Sequence, residues 1–239
     1  RAEWTDDGGD KAFATVRFID FLDSTKNDWL AASQVWVAGD LHRRRTDVLL
    51  FVNGIPLVSL EFKEPNRPAN AAFDENITDY RDTIPQLFVP NGFVICSNGS
   101  EAKVGSTYAP WEFFGDWKVI DAEGGRGVIA LETAIRGTCS HDRLLDLVEN
   151  FTAFIERPGG LIKVVARNHQ LLGVNAAIEN LLRVRASGEK RIGVIWHTQG
   201  SGKSLTMVFL IRKLRTDPLL RRFKVVVVTD RADLEDQLS

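Results

Sequence analysis

A glycine-rich loop between an apolar segment and a helix-forming segment constrains the fold of this chain most. Residues 192–196 are apolar and favour a strand, residues 197–204 read HTQGSGKS, and residues 203–215 have helical periodicity. Glycines allow the backbone amides of such a loop to turn inward around phosphate oxygens, and the N-terminus of the following helix adds partial positive charge. A further apolar strand at 223–229 completes a strand–helix–strand order. This order predicts a parallel α/β sheet.

The loop predicts a nucleoside triphosphate site. Lys203 would reach the β and γ phosphates and Ser204 would bind magnesium. His197 stands where the usual pattern has a small residue. A glycine-rich turn with a chance Lys-Ser pair is the alternative, and the strand–loop–helix context argues against it. The predicted phosphate contacts are Gly200, Ser201, Gly202, Lys203 and Ser204.

Composition bounds the class of protein. The 30 basic and 32 acidic side chains nearly balance, so the whole chain gives no signal for nucleic acid, although a local basic patch stays possible. Two cysteines, Cys96 and Cys139, argue against a disulfide framework and favour a cytoplasmic location. No apolar run approaches the roughly 20 residues that a membrane helix needs. The chain begins at Arg1 and ends in a helix-like stretch, so we expect a fragment of a longer protein.

The pattern of the chain changes near residue 140. The first part favours strands at 14–21, 30–37, 47–52, 57–63, 92–97 and 103–107, with a helix at 71–83. The second part favours helices at 142–155, which residues 158–160 would end, and at 168–186. We therefore expect two domains, residues 1–140 and residues 141–239.

A second candidate site consists of three charged residues around a predicted hairpin turn, Asp47, Glu61 and Lys63. Glu61 and Lys63 share one face of their strand, because side chains alternate. A two-residue loop at 54–55 would pair Asp47 with Phe62 and place Asp47 on the other face. A three-residue loop at 53–55 would pair Asp47 with Glu61. We therefore predict an odd-length loop or a β-bulge in this hairpin.

Two carboxylates on one face can hold magnesium, which prefers oxygen ligands. The metal can then activate a water molecule, and Lys63 can orient that water or stabilise negative charge. The spacing alone favours an exposed strand with a Glu-Lys surface pair, because such pairs are common and weak, and the flanking sequence is what favours the metal site. Residues 43–45, three arginines before Asp47, could contact DNA phosphates or could be a solvated charge run.

Residues 46–63, TDVLLFVNGIPLVSLEFK, resemble the nuclease core of type I restriction enzyme R subunits, in which Asp and then Glu-x-Lys form a PD-(D/E)xK motif. Thr46 replaces the usual Pro of this motif. Asn76 replaces Gln in the family's Gln-x-x-x-Tyr motif, with Tyr80 in register. Other stretches similar to this family are 34–35, 79–88, 96–99, 167–170, 196–206 and 227–234.

The resemblance implies an α/β protein, with a PD-(D/E)xK nuclease-like domain containing a mixed sheet, followed by the start of a RecA-like superfamily 2 helicase domain. It implies ATP and Mg²⁺ as cofactors, and double-stranded DNA and the methylation and specificity subunits as partners. Asp47, Glu61 and Lys63 would be catalytic, with magnesium on Asp47 and Glu61. Gln170 would read adenine, although by itself it could simply begin a solvated helix. The implied DNA contacts are Asn76, Tyr80, Arg44 and Arg45.

The sequence also leaves alternatives. It carries no Asp-Glu box after the phosphate loop, so we do not expect this chain alone to translocate. An ATP-gated DNA-binding protein with a merely structural hairpin is one alternative, and convergence of Asp47, Glu61 and Lys63 would argue against it. Another helicase–nuclease fusion is a second, and dependence of cleavage on a specificity subunit would distinguish it.

Overall fold

The computed structural model describes residues 2–5, 8–14, 16–157, 160–189 and 191–228. Its strands are β1 (Ala2–Thr5), β2 (Lys11–Ala14), β3 (Trp29–Ser33), β4 (Trp36–Ala38), β5 (Arg43–Arg45), β6 (Val48–Val52), β7 (Ile55–Phe62), β8 (Phe93–Ser97), β9 (Ala102–Gly105), β10 (Gly115–Asp116), β11 (Thr152–Arg157) and β12 (Gly160–Val165).

The longer helices are α1 (residues 70–83), α2 (Ala130–Thr138), α3 (His141–Asn150), α4 (Asn168–Ser187) and α5 (Lys203–Thr216). Helix α1 contains a π-helical turn at Phe73–Ile77. Short 3₁₀ turns lie at Ser24–Lys26, Pro85–Phe88 and Trp111–Phe113. Among the residues that the structure describes, no helix is both long and apolar enough to cross a membrane.

A six-stranded mixed sheet with the order β10-β9-β8-β7-β6-β3 organises the fold. Its pairs are antiparallel except β7 with β8, which α1 connects. Alternate residues of β8 enter two apolar clusters: Phe93 and Ile95 face one, and Val94 and Cys96 face the other. Helix α1 covers the second face, and Glu61 lies in β7 beside Cys96. The sheet therefore places Glu61 on the buried side that α1 covers.

The first apolar cluster continues across the predicted domain boundary. It joins Phe93 of the sheet to Leu147 in α3, Leu171 in α4 and Phe209 in α5. Residue 140 itself lies between α2 and α3. The division into residues 1–140 and 141–239 stays a prediction.

Several local predictions were wrong. Residues 16–21 are not a strand, because Asp20 accepts hydrogen bonds from the amides of Leu22 and Asp23 and closes a polar turn. The strand predicted at 30–37 is broken at Gln34, which has φ 56°. The helix predicted to reach residue 155 ends at Asn150, because the Thr152 hydroxyl donates to the carbonyl of Leu147 and closes the helix end.

The parallel sheet predicted for the second half is not formed by the described residues. Residues 191–198 and 224–228 have no strand pairing there, and residues 229–239 lie outside the described part of the chain. The Asn180 side chain bonds the carbonyl of Ile192, where a sheet would have a neighbouring backbone amide. Val194 and Val228 stay exposed. Apolar composition alone does not make a strand, because the backbone of a strand also needs a paired neighbour.

Candidate functional site

The hairpin β6–β7 contains the predicted bulge. Its loop is Asn53-Gly54, both with positive φ, so Val52 pairs with Ile55. Between Leu50 and Phe51 the register shifts, so that Leu50 pairs with Val58 and Val48 with Leu60. Continuing this register places Asp47 opposite Glu61. The prediction of a bulge is confirmed, with the loop one residue earlier than 54–55.

Asp47 contacts Glu61 and the backbone beside it. Its amide donates to Glu61 Oε1 at 3.1 Å, and its Oδ2 accepts from the amide of Phe62 at 2.8 Å. Gln34 Nε2 donates to Asp47 Oδ1 at 3.3 Å. The break at Gln34 therefore turns a polar side chain toward the carboxylate, a contact that no sequence motif indicates.

Glu61 is fully buried and accepts hydrogen bonds from helix α1. Asn76 Nδ2 donates to Glu61 Oε2 at 2.7 Å, and the Tyr80 hydroxyl lies 3.3 Å from the same oxygen. Burial, and then the charge of Asp47, raise the pKa of Glu61 to about 7, although these hydrogen bonds oppose the rise. Burial and Glu61 also raise the pKa of Tyr80. The site therefore holds a carboxyl group that titrates near neutral pH.

Lys63 lies at the edge of the same site. Its Nζ donates to Asn76 Oδ1 at 2.7 Å and lies 2.9 Å from Glu75 Oε2. Arg67 pairs with Glu75 as well, and hydrogen bonds from Arg67 and Lys63 hold the pKa of Glu75 at about 2. Asn76 thus links Lys63 to Glu61. The structure brings Asp47, Glu61 and Lys63 together.

Asn76, which makes this link, lies in the π-helical turn of α1. The amide and the hydroxyl of Thr78 both bond the carbonyl of Phe73, five residues earlier. A π turn inserts an extra residue into a helix, and such turns are frequent at functional sites. Here Glu75 and Asn76, which are neighbours in sequence, both reach Lys63. No motif or spacing in the sequence indicates this role of Glu75.

A cavity of about 660 Å³ opens over these residues, lined in part by Asp47, Lys63 and Arg67. Among the described residues, neither Asp47 nor Glu61 has a lysine or arginine within ion-pair distance, because Lys63 and Arg67 pair with Glu75. Two adjoining carboxylates without a cation are the charge and ligand type that a divalent metal ion compensates. The donor set of this structure therefore fits Mg²⁺.

The predicted DNA contacts occupy different surroundings. Arg44 makes a bidentate ion pair with Asp79 of α1, with Nη2 3.0 Å from Oδ1. The polar atoms of Asn76 and Tyr80 bond within the carboxylate cluster, and the Tyr80 hydroxyl donates to the carbonyl of Arg45 at 2.9 Å. The Arg45 side chain is exposed. Of these four side chains, Arg45 is the one most open to solvent.

The phosphate loop precedes α5 directly. Gly200 and Gly202 have φ of 75° and 84°, and Lys203 is the exposed first residue of the helix. Ser201 lies in the loop, and Ser204 is the second residue of the helix. His197, the departure from the usual pattern, packs its ring 5.0 Å from the ring of His169. A small residue would leave this contact empty.

Gln170 is held against the loop. Its Nε2 donates to the carbonyl of Gly202 at 3.0 Å, and its Oε1 accepts from the amide of Arg167 at 2.8 Å. The side chain is buried, and a Cβ at position 202 would lie 2.7 Å from Nε2. Gln170 therefore ties the start of α4 to the phosphate loop. A second cavity, of about 520 Å³, borders the loop at His197, Thr198 and Ser201.

Comparison with known proteins gives two family matches. Residues 1–113 match the family described as type I restriction enzyme R protein N terminus, and residues 169–239 match the SWI2/SNF2 ATPase family. The chain is 39% identical to the type I restriction enzyme HindI endonuclease subunit of Haemophilus influenzae, over 100% of this chain and 23% of that protein. It is 30% identical to the putative type I restriction enzyme MjaIXP endonuclease subunit of Methanocaldococcus jannaschii, over 97% of this chain and 24% of the relative. The chain spans about a quarter of the length of these relatives.

Proposed function

Because the chain belongs to the type I restriction enzyme R protein family, we propose that residues 1–140 form a PD-(D/E)xK endonuclease domain that cleaves DNA. Residues 141–239 would begin a RecA-like ATPase lobe, as the SWI2/SNF2 match supports. In the whole protein, ATP-driven movement along double-stranded DNA would precede cleavage. The observation that carries the proposal is the convergence of Asp47, Glu61 and Lys63: Asp47 and Lys63 line one cavity, and the buried Glu61 contacts Asp47 directly and Lys63 through Asn76.

Asp47 and Glu61 would hold Mg²⁺ between the hairpin and α1. The ion, when bound, would lower the pKa of a water molecule and polarise the phosphodiester. Asn76 and Tyr80 keep the Glu61 carboxylate in position through their hydrogen bonds. Lys63 would orient the attacking water or stabilise negative charge on the phosphate. The same geometry disfavours the alternative of a merely structural hairpin, because a surface Glu-Lys pair would not bury the glutamate.

The phosphate loop would bind ATP. Gly200, Ser201 and Gly202 would surround the phosphates, Lys203 would contact the β and γ groups, and Ser204 would bind the magnesium ion of the nucleotide. A contact of Gln170 with adenine stays a prediction. Its two bonds to backbone supply a further role, which is to hold the loop in place.

The proposed partners are double-stranded DNA and the methylation and specificity subunits of a type I restriction–modification complex. They are inferred from the family, and cytoplasmic location is inferred in the same way. Dependence of cleavage on a specificity subunit would separate this proposal from another helicase–nuclease fusion.

The test uses the full-length protein with its partner subunits and measures ATPase and DNA cleavage separately. Lys63→Ala should abolish cleavage and retain ATPase, because Lys63 belongs to the nuclease cluster. Lys203→Ala should abolish both, because cutting follows movement along DNA. Lys26→Ala is the matched control, since this exposed lysine pairs with Asp20 and Asp23. Cleavage by Lys63→Ala at the rate of the control would refute the assignment of the nuclease site.

A further inference from the structure

The hairpin β4–β5 sorts its three arginines onto two faces. Successive strand residues point to opposite sides, so Arg43 and Arg45 share a face and Arg44 takes the other. Trp36 pairs directly with Arg45 across the hairpin, and Ala38 pairs with Arg43. Trp36 and both outer arginines are exposed, whereas Arg44 is half-buried. One surface of the hairpin therefore presents a tryptophan and two guanidinium groups.

These guanidinium groups differ from that of Arg44 in their partners. Arg44 is neutralised by its bidentate pair with Asp79. Arg43 and Arg45 have no acidic partner within ion-pair distance among the residues that the structure describes. Both instead lie against the Trp36 ring, with their Cζ atoms 5.6 and 5.9 Å from its centroid. Cation–π attraction orients a guanidinium group without using its N–H donors. Two uncompensated cations are thus held with their donors available.

The hairpin itself is held against the rest of the fold. Gln86 Nε2 donates to the carbonyl of Ala38 at 2.6 Å. A Cβ at Gly39 would collide with the carbonyl of Thr83, so the turn packs closely on the end of α1. The hairpin β4–β5 is therefore fixed in place before any ligand binds, which reduces the entropy lost on binding.

The hairpin β4–β5 also lies next to the proposed nuclease residues Asp47 and Glu61. The Tyr80 hydroxyl donates to the carbonyl of Arg45 and lies 3.3 Å from Glu61. Only Thr46 separates Arg45 from Asp47 in the chain. A strand of DNA with one phosphate at Asp47 and Glu61 would therefore bring neighbouring phosphates toward this surface.

We propose that Trp36, Arg43 and Arg45 form a platform that binds phosphates of the DNA strand entering the cleavage cavity. Trp36 is the brace that orients the two arginines, and Arg44 is a structural residue. This inference rests on the proposed function, because DNA is the substrate assigned there. It replaces Arg44 by Arg43 among the predicted DNA contacts and adds Trp36.

The first test measures DNA affinity of the nucleotide-free full-length protein against salt concentration, using a 20-base-pair duplex and Ca²⁺ in place of Mg²⁺. Each phosphate contact contributes about 0.9 to the slope of log K against log salt. Arg43→Ala/Arg45→Ala should therefore lower the slope by about 1.8 and weaken binding about 60-fold at 0.1 M salt. Contacts made elsewhere in the protein cancel in this difference.

Trp36→Ala distinguishes the role of Trp36 in orienting the arginines from the role of their charges in binding phosphate. It should weaken binding about fivefold, from the loss of two weak cation–π contacts, and leave the slope unchanged because both charges remain. The matched control is Arg126→Ala/Arg136→Ala: both arginines are exposed, Arg126 precedes α2 and Arg136 lies in it, and α2 packs on the opposite face of the sheet from the hairpin β4–β5. A slope for Arg43→Ala/Arg45→Ala equal to that of wild type, or a Trp36→Ala affinity equal to that of the control, would overturn the platform.

The second test uses the photo-crosslinking residue p-benzoylphenylalanine at Ala38, which shares the exposed face, and at Ala122 as the control. DNA should crosslink from position 38 and not from position 122. Cleavage by Lys63→Ala is measured in parallel. If Lys63→Ala still cuts while position 38 crosslinks, the proposed nuclease site fails and the platform stands. If Lys63→Ala is inactive and position 38 gives no crosslink, the platform alone fails.

Discussion

If Asp47 and Glu61 hold Mg²⁺ as proposed, binding of the ion should release protons, and the ionisation of Glu61 should set their number. Because the pKa of Glu61 is about 7, roughly 90% of this carboxyl group is protonated at pH 6 and roughly 10% at pH 8. A metal ion binds the carboxylate form, so binding displaces the proton. We expect about 0.9 proton released per ion at pH 6 and about 0.1 at pH 8, with affinity about tenfold weaker at pH 6.

The assay is isothermal titration calorimetry of Mg²⁺ into the nucleotide-free full-length protein, in two buffers of different ionisation enthalpy. Glu75 cannot supply these protons, because its pKa of about 2 keeps it ionised throughout the range. Glu61→Gln should abolish the signal from this site. A proton release that is absent at pH 6, or that persists unchanged in Glu61→Gln, would refute the reasoning.

The same pKa has a consequence for stability. The folded pKa of Glu61 lies above its usual value of 4.5, so between these values the folded protein binds more protons than the unfolded chain. The contribution is therefore favourable at low pH and is lost as pH rises through about 7, by roughly 3 kcal/mol in all. Binding of Mg²⁺ to the carboxylate would restore part of this loss at pH 8. The stability of the folded protein above pH 7 should therefore depend on whether Mg²⁺ is bound to the Glu61 carboxylate.

Two other predictions concern single contacts. Asn76→Ala removes a hydrogen bond that lowers the pKa of Glu61, so the acid side of the cleavage pH profile should move to higher pH, and an unmoved profile would contradict this role. Gly202→Ala adds a Cβ 2.7 Å from Gln170 Nε2 at a φ of 84°, so it should reduce ATP binding, measured with a fluorescent ATP analogue, more than tenfold. Gly200→Ala is its control, because Gly200 has a similar positive φ of 75° but a Cβ there meets nothing within 4 Å; equal losses would refute the contact with Gln170.

The hairpin β6–β7 could be predicted because the relevant geometry depends on neighbouring residues only. The alternation of side chains fixes the face of Glu61 relative to Lys63, and a few residues of turn decide where Asp47 falls. The chemistry then required an odd-length loop or a bulge, and the structure contains the bulge. The sequence does not distinguish an odd-length loop from a bulge. Asn53-Gly54 favours a two-residue turn, but nothing in the sequence shows that Leu57 is the extra residue that forms the bulge.

The partners of the basic residues could not be predicted in this way. Arg44 and Asp79 are 35 residues apart, and their pairing depends on how α1 crosses the sheet. Glu75, which pairs with Lys63, lies in a π turn that the helical periodicity of residues 70–83 does not indicate. Both contacts neutralise a cation that sequence reasoning would leave free for DNA.

This difference between paired and unpaired cations bears on how the site would receive its substrate. Lys63 and Arg67 share the Glu75 carboxylate at the edge of the cavity, whereas Arg43 and Arg45 lie on an aromatic ring with no anion. A phosphate can bind the second pair without displacing a partner. To bind the first pair it must compete with Glu75, which costs the hydrogen bonds already present. DNA would therefore bind the platform more readily than Lys63, and Lys63 would exchange Glu75 for phosphate only when a strand is already in place.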